Sequence, residues 1–257
     1  AHLVFDVNRE HDFARLQSGR FCRNDRCCST CSRLKSARMV RDYSGRAGAV
    51  LDRHRDEVKL VHVVLTVLNG ECIGERFEAL RVAFDRLVRR RRNFNQGRRR
   101  MTFLARTQGG VTSIEIKRGR GSCQWHPHLH GMMIVDRDAD VGELQSMLRD
   151  EWIELTRGES CNVFVGELHS LSTEDGNPLR AAFAETFKYA TKGREMTPAD
   201  TYEAWLRLRG RRFIQSFGLL YAPDEKDETL GDVDVAVAFD LERLVYEYRP
   251  EGYVLVE

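Results

Sequence analysis

The chain has 257 residues and a formal net charge of +2, with 42% hydrophobic and 31% charged residues. That is enough chain for a sizeable core, and the composition excludes a disordered, fibrous or disulfide-stapled miniature protein. No apolar run reaches membrane length and no cationic start leads into an apolar signal core, so the expectation is a soluble cytoplasmic protein without a membrane partner.

The small net charge hides an asymmetry. From Asp224 onward there are eleven acids against three bases, so the preceding residues carry about +10. Only six of the 41 cationic residues are lysine. The rest are arginine, whose planar fork suits phosphate, and an anionic polymer is the partner this balance favours.

In chain order, residues 1–40 are polar and arginine-rich and are expected to be irregular unless a metal holds them. Four of the seven cysteines fall here within ten residues: Cys22, Cys27, Cys28 and Cys31. Clustered thiols suit a metal knuckle in a reducing compartment better than a disulfide framework. A CxxC pair supplies two thiolates of a tetrahedral zinc site, Cys22 a third, and His11 is the nearest upstream candidate for the fourth; spacing does not choose between Cys27 and Cys28. The run VKLVHVVLTVL at 58–68, ending at Asn69-Gly70, reads as a buried strand and turn. Apolar residues then recur at helical spacing, predicting a helix over 74–95. Its end merges with eight arginines in the fifteen residues 86–100. Among them Arg89, Arg90, Arg91, Arg92, Arg98, Arg99 and Arg100 are candidates for contact with a phosphate backbone, which relieves their mutual repulsion.

Strands are predicted over 111–117 and 128–135, joined by a glycine-bearing hairpin connection. The second lies in the run Trp125-His126-Pro127-His128-Leu129-His130 and the Gly-Met-Met-Ile-Val that follows. Residues two apart share a strand face, so His128 and His130 present two imidazoles side by side, and His126 joins them if the strand extends to it. This is a clamp for a divalent metal. Glu115, in the middle of the preceding strand, either completes it across the hairpin or faces outward in a salt bridge, depending on register. A helix over 139–157, a strand over 162–169 and helices over 178–192 and 197–210 follow. The first of these two helices places Glu185, Tyr189 and Lys192 on one face, a carboxylate, a phenol and an ammonium at spacings of four and three. The tail offers two or three short strands, forming either an appended β element or a completion of the main sheet. The result is an α+β layout in which helices cover an antiparallel sheet. Three parts are expected: a Cys-rich zinc-binding segment at 1–50, a catalytic domain at 51–222 and an acidic β element at 223–257.

Taken in order, these residues resemble the rolling-circle replication initiators of small multicopy plasmids, members of the HUH endonuclease superfamily. VVLTV at 63–67 is similar to the family's strand-borne first motif, HPHLHGMMIV at 126–135 to its metal motif, and ETFKYATK at 185–192 to its nucleophile motif. CRNDRCCSTC followed by SRLKSARM resembles the Cys-rich segment ahead of the catalytic core, and RRFIQSFGLL at 211–220 the stretch after the nucleophile helix. The extra Cys beside Cys27, and His11 where a Cys is more familiar, depart from the pattern.

The resemblance implies a central antiparallel sheet of ferredoxin- or RRM-like topology with helices on one face, the His pair on a middle strand and the Tyr on a packed helix. It implies nicking and rejoining of one DNA strand at an origin through a 5′-phosphotyrosine. Mg or Mn would sit at His128, His130 and a third ligand, Tyr189 would attack, Glu185 would activate water or a second attack, and Lys192 would position the phosphate. A structural zinc, single-stranded or hairpin origin DNA, and host helicase and polymerase complete the implied partners. A single-tyrosine HUH transposase shares these residues, although the Cys-rich segment and the Glu four before the Tyr favour an initiator. A non-enzymatic, zinc-stabilised DNA-binding regulator is the alternative from another class.

Overall fold

A computed structural model describes residues 2–9, 13–19, 29–98, 100–119, 121–168, 178–188, 196–221 and 242–256. In chain order its elements are β1 (His2–Asn8), β2 (Phe13–Gly19), α1 (Ser29–Arg53), β3 (Val58–Thr66), α2 (Ile73–Asn95), β4 (Thr107–Arg118), β5 (Trp125–Asp136), α3 (Val141–Leu155), β6 (Val163–Glu167), α4 (Pro178–Lys188), α5 (Pro198–Leu208), β7 (Ile214–Gly218), β8 (Glu242–Arg249) and β9 (Gly252–Leu255). They form two compact units, Asn24–Ala222 and the pair of terminal segments Ala1–Arg23 and Pro223–Glu257. No helix among the described residues is long and apolar enough to cross a membrane.

The larger unit is built on a five-stranded antiparallel sheet of order β6-β3-β5-β4-β7. β5 is its middle strand and is buried from Trp125 to Val135 except at His126. A strand covered on both faces needs apolar residues at both parities, as in its second half, Met132–Val135, whereas its first half carries histidines on one face.

One face carries Val61, Val63 and Leu65 of β3, Ile114 and Ile116 of β4, and Leu129, Met133 and Val135 of β5. Against it pack α2, through Phe77, Leu80, Phe84 and Leu87, and α3, through Leu144, Leu148 and Trp152. Each helix shows the three-four spacing of an apolar stripe. Asp140 caps α3 by accepting from the Glu143 amide at 2.8 Å, and Thr197 with Asp200 forms a capping box on α5.

The opposite face carries Val58 and Leu60, Val111, and Met132 and Ile134, and is covered by α1 and α4 through Tyr43, Ala47, Phe183 and Phe187. The rings of Tyr43 and Phe183 stack at 6.4 Å, and Ser36 Oγ of α1 donates to the Phe187 carbonyl near the end of α4 at 3.2 Å. Helices therefore lie on both faces of the sheet, not on one as the resemblance implied. The second apolar layer comes from α1 and α4, and α1 begins at Ser29, within the stretch that its polar composition marked as irregular, and runs on to Arg53.

Among the described early residues, 2–8 and 13–19 also form strands. β1 pairs with both β2 and β8, and β9 completes a separate sheet of order β2-β1-β8-β9. Among the described residues, the tail strands β8 and β9 thus belong to this sheet and not to the main one, while VDVAVAF at 233–239 lies outside the described residues. The partner strand of β8 lies at the other end of the chain, a pairing that no local signal announces. β7 was also unforeseen, because its half-buried IQSFG lacks a clean alternation.

Phe183 is fully buried between α1 and the sheet. Phe183→Ala is expected to lower unfolding free energy by about 3–5 kcal/mol, measured by urea denaturation, through lost burial and the cavity left behind.

Candidate metal centre

The even-numbered residues of β5 face α1 and α4, so His126, His128 and His130 line up on the face of Met132 and Ile134. The hairpin register then places Glu115 of β4 directly opposite His128. On the other side β3 runs antiparallel to β5, with Thr66 opposite His128 and Val64 opposite His130. The choice left open by the sequence is settled: Glu115 faces inward, 3% exposed.

Glu115, His128 and His130 form a buried group whose ligand atoms lie within 4.8 Å of one another. Glu115 Oε2 is 2.5 Å from His128 Nε2 and 3.1 Å from His130 Nε2, and Lys117 Nζ stands 3.9 Å away. The approach of His128 lacks hydrogen-bond alignment, leaving its Nε2 buried and without a hydrogen-bond partner. Three convergent donor atoms, one of them an orphaned imidazole nitrogen, fit a divalent cation. Three protein donors also leave positions for a substrate oxygen.

The electrostatics match that reading. Burial opposes ionisation of Glu115, but the two imidazoles and Lys117 outweigh it and hold the carboxyl at about 2. Burial lowers His128 below its ordinary value despite the attraction of Glu115. At neutral pH the set is therefore an anionic carboxylate with an unprotonated imidazole, the forms that bind metal.

Two neighbours extend the group. His126 Nδ1 donates to Asn69 Oδ1 and its ring meets His128 edge-on at 4.6 Å, so it flanks the three-residue cluster without belonging to it. His62 of β3 was not anticipated. Its ring stacks on His130 with centroids 5.6 Å apart and planes at 10°, and its Nε2 lies 3.4 Å from His130 Nδ1. Burial, reinforced by His130, lowers His62 to about 4, while Glu185 on α4 is near enough to oppose the shift. A histidine that bonds the second nitrogen of a ligand histidine fixes its ring and tautomer. The sequence signal was a lone imidazole at an even position of a buried strand, legible only once β3 is known to lie beside β5.

Among the other candidates, Cys31 is buried in the first turn of α1. His11, Cys22, Cys27, Cys28, Arg99, Tyr189 and Lys192 lie outside the described residues. Arg90 is buried, ion-paired to Glu151 at 3.6 Å and Glu154 at 2.5 Å. Arg91 stacks its guanidinium over Phe217 at 4.7 Å. Both take part in the packing of α2, Arg90 buried and Arg91 half-buried. Arg89, Arg92, Arg98 and Arg100 are exposed. α2 packs on the sheet face opposite the cluster, so the arginine run and the metal donors are not brought together.

The fold and site thus define an α+β protein with a two-histidine, one-carboxylate centre on the middle strand of an antiparallel sheet. The chain belongs to the replication protein family, whose family model matches residues 13–244, as the order of its motifs implied. It is similar to the curated "Protein rep" of Streptococcus pneumoniae serotype 2 (strain D39 / NCTC 7466), 22% identical over 275 residues that span 96% of this chain and 81% of that protein. No solved structure matches the chain.

Glu115→Gln keeps the shape but removes the anionic donor, and Mn affinity measured by calorimetry is expected to fall at least about tenfold; unchanged affinity would remove Glu115 from the centre. In chelator, the unfolded chain protonates His62 near 6.5 and the folded chain only near 4. Between those values the unfolded state binds the extra proton, so stability rises with pH, by at most about 3 kcal/mol from this group. His62→Gln is expected to flatten that rise in urea titrations across the same window.

Proposed function

We propose that the chain initiates rolling-circle replication of a plasmid by nicking and rejoining one strand of origin DNA, through metal-dependent transesterification and a 5′-phosphotyrosine intermediate. The observation that carries this reading is the buried Glu115–His128–His130 group, whose ligand atoms lie within 4.8 Å of one another on the middle of the sheet. Membership of the replication protein family supports it independently.

Glu115, His128 and His130 are the residues that hold Mg or Mn, whose chemistry there is Lewis-acid polarisation of the scissile phosphate. His62 keeps the His130 ring in place. Tyr189, the residue after the end of α4, supplies the phenol oxygen. That oxygen forms a bond to phosphorus as the bond from phosphorus to the 3′ oxygen breaks, leaving a 3′-hydroxyl to be extended by host polymerase behind a host helicase. Lys192 offsets charge on the phosphate and phenolate. At termination Glu185 accepts a proton from water or from an incoming 3′-hydroxyl that attacks phosphorus and releases Tyr189.

Exposed Arg89, Arg92, Arg98 and Arg100 contact DNA backbone away from the point of cutting. His11, Cys22, Cys27 or Cys28, and Cys31 hold a structural zinc.

The test is incubation with an origin hairpin oligonucleotide and Mn, followed by denaturing electrophoresis. The native chain yields a covalent adduct; Tyr189→Phe yields none while binding the same oligonucleotide within about twofold of native. An adduct retained by Tyr189→Phe moves the nucleophile elsewhere, and no adduct from the native chain overturns the nicking reading.

A further inference from the structure

On the sheet face that carries the metal donors, three rings follow one another across adjacent strands toward the sheet edge. His130 of β5 stacks on His62 of β3, and His62 meets Phe164 of β6 edge-on, with centroids 6.0 Å apart and planes at 63°. β6 is the edge strand, so the row ends in solvent: Phe164 is 51% exposed where His130 is 8%.

Packing does not account for this ring. Val163 and Val165, on either side in sequence, turn to the opposite face and join the α2–α3 core. Leaving a phenyl half in water forgoes on the order of 1 kcal/mol that burial would return. The ring nevertheless has a prepared seat. It lies over Gly166, where an added Cβ would stand 2.5 Å from Phe164 Cζ, so glycine at 166 is what lets the ring rest on the strand. Glu167, the carboxylate of β6, is tied to Lys59 at 2.6 Å, so its charge is compensated where a polyanion would approach.

An exposed aromatic ring, continuous through stacked imidazoles with a group suited to a phosphate-bound cation, has the chemistry of a base-stacking platform. We propose that Phe164 stacks an unpaired DNA base beside the phosphate that occupies the Glu115–His128–His130 centre. This rests on the strand-nicking reading and adds to it a contact that grips the single strand. The contact is sequence-tolerant, since every base has a π face.

The test uses fluorescence anisotropy without added Mg or Mn, so that the covalent step does not contribute and a structural zinc stays in place. The probes are a short labelled oligothymidylate and an abasic oligonucleotide of the same length, which keeps the phosphates and lacks the bases. Phe164→Ala is expected to weaken oligothymidylate binding about five- to a hundredfold, the range of one stacked base, and to leave abasic binding at the native level. Phe164→Trp restores the affinity and Phe164→Leu does not, because leucine keeps apolar bulk without a π face. Gly166→Ala, which displaces the ring, reproduces the loss. Equal binding of oligothymidylate by native and Phe164→Ala protein overturns the proposal, as does an equal loss on both probes. Native protein that binds neither probe overturns the nicking reading with it. Adduct formation by native protein together with unchanged binding by Phe164→Ala overturns the stacking contact alone.

Discussion

A carboxylate 3% exposed on the middle of a β-strand is the constraint around which the larger unit is arranged. An isolated ionised carboxylate in such a place costs several kcal/mol, so the surrounding fold must supply positive charge, hydrogen bonds or a metal. The β4–β5 hairpin does so by register, setting Glu115 opposite His128 and within 3.1 Å of His130 Nε2. A slip of one residue in that register would turn the carboxylate into the apolar layer of Leu129 and Met133.

The sheet divides its labour by face. One side is a conventional apolar core under α2 and α3, where Arg90 and Arg91 are spent on ion pairs and stacking. The other is apolar only at one end, where α1 and α4 cover it; the end carrying Glu115, His128 and His130 is polar. α4 spans this division. Phe183 and Phe187 anchor it in the second core, and Glu185 between them reaches the electrostatic field of His62.

The separate sheet formed by the terminal segments shows how differently the two ends of the chain are specified. β1 and β2 are contiguous, but β1 finds its second partner in β8, more than two hundred residues away. Such a pairing pays loop-closure entropy before any contact rewards it and leaves no local trace in either segment.

The sequence alone determined the α+β class, the order of elements from β3 to α5, and the HxH pair with its face, because strand and helix periods are properties of neighbouring residues. It also pointed to Glu115 and Glu185 by residue type. Tertiary structure decided what depends on register and on distant strands. It turned Glu115 inward and brought His62 against His130. It set Arg90 and Arg91 in the packing of α2, and it paired β8 of the tail with the first strand. The physical reason is common to all four: a side chain's surroundings are set by whichever element lies across from it, and the period along its own strand or helix carries no information about that neighbour.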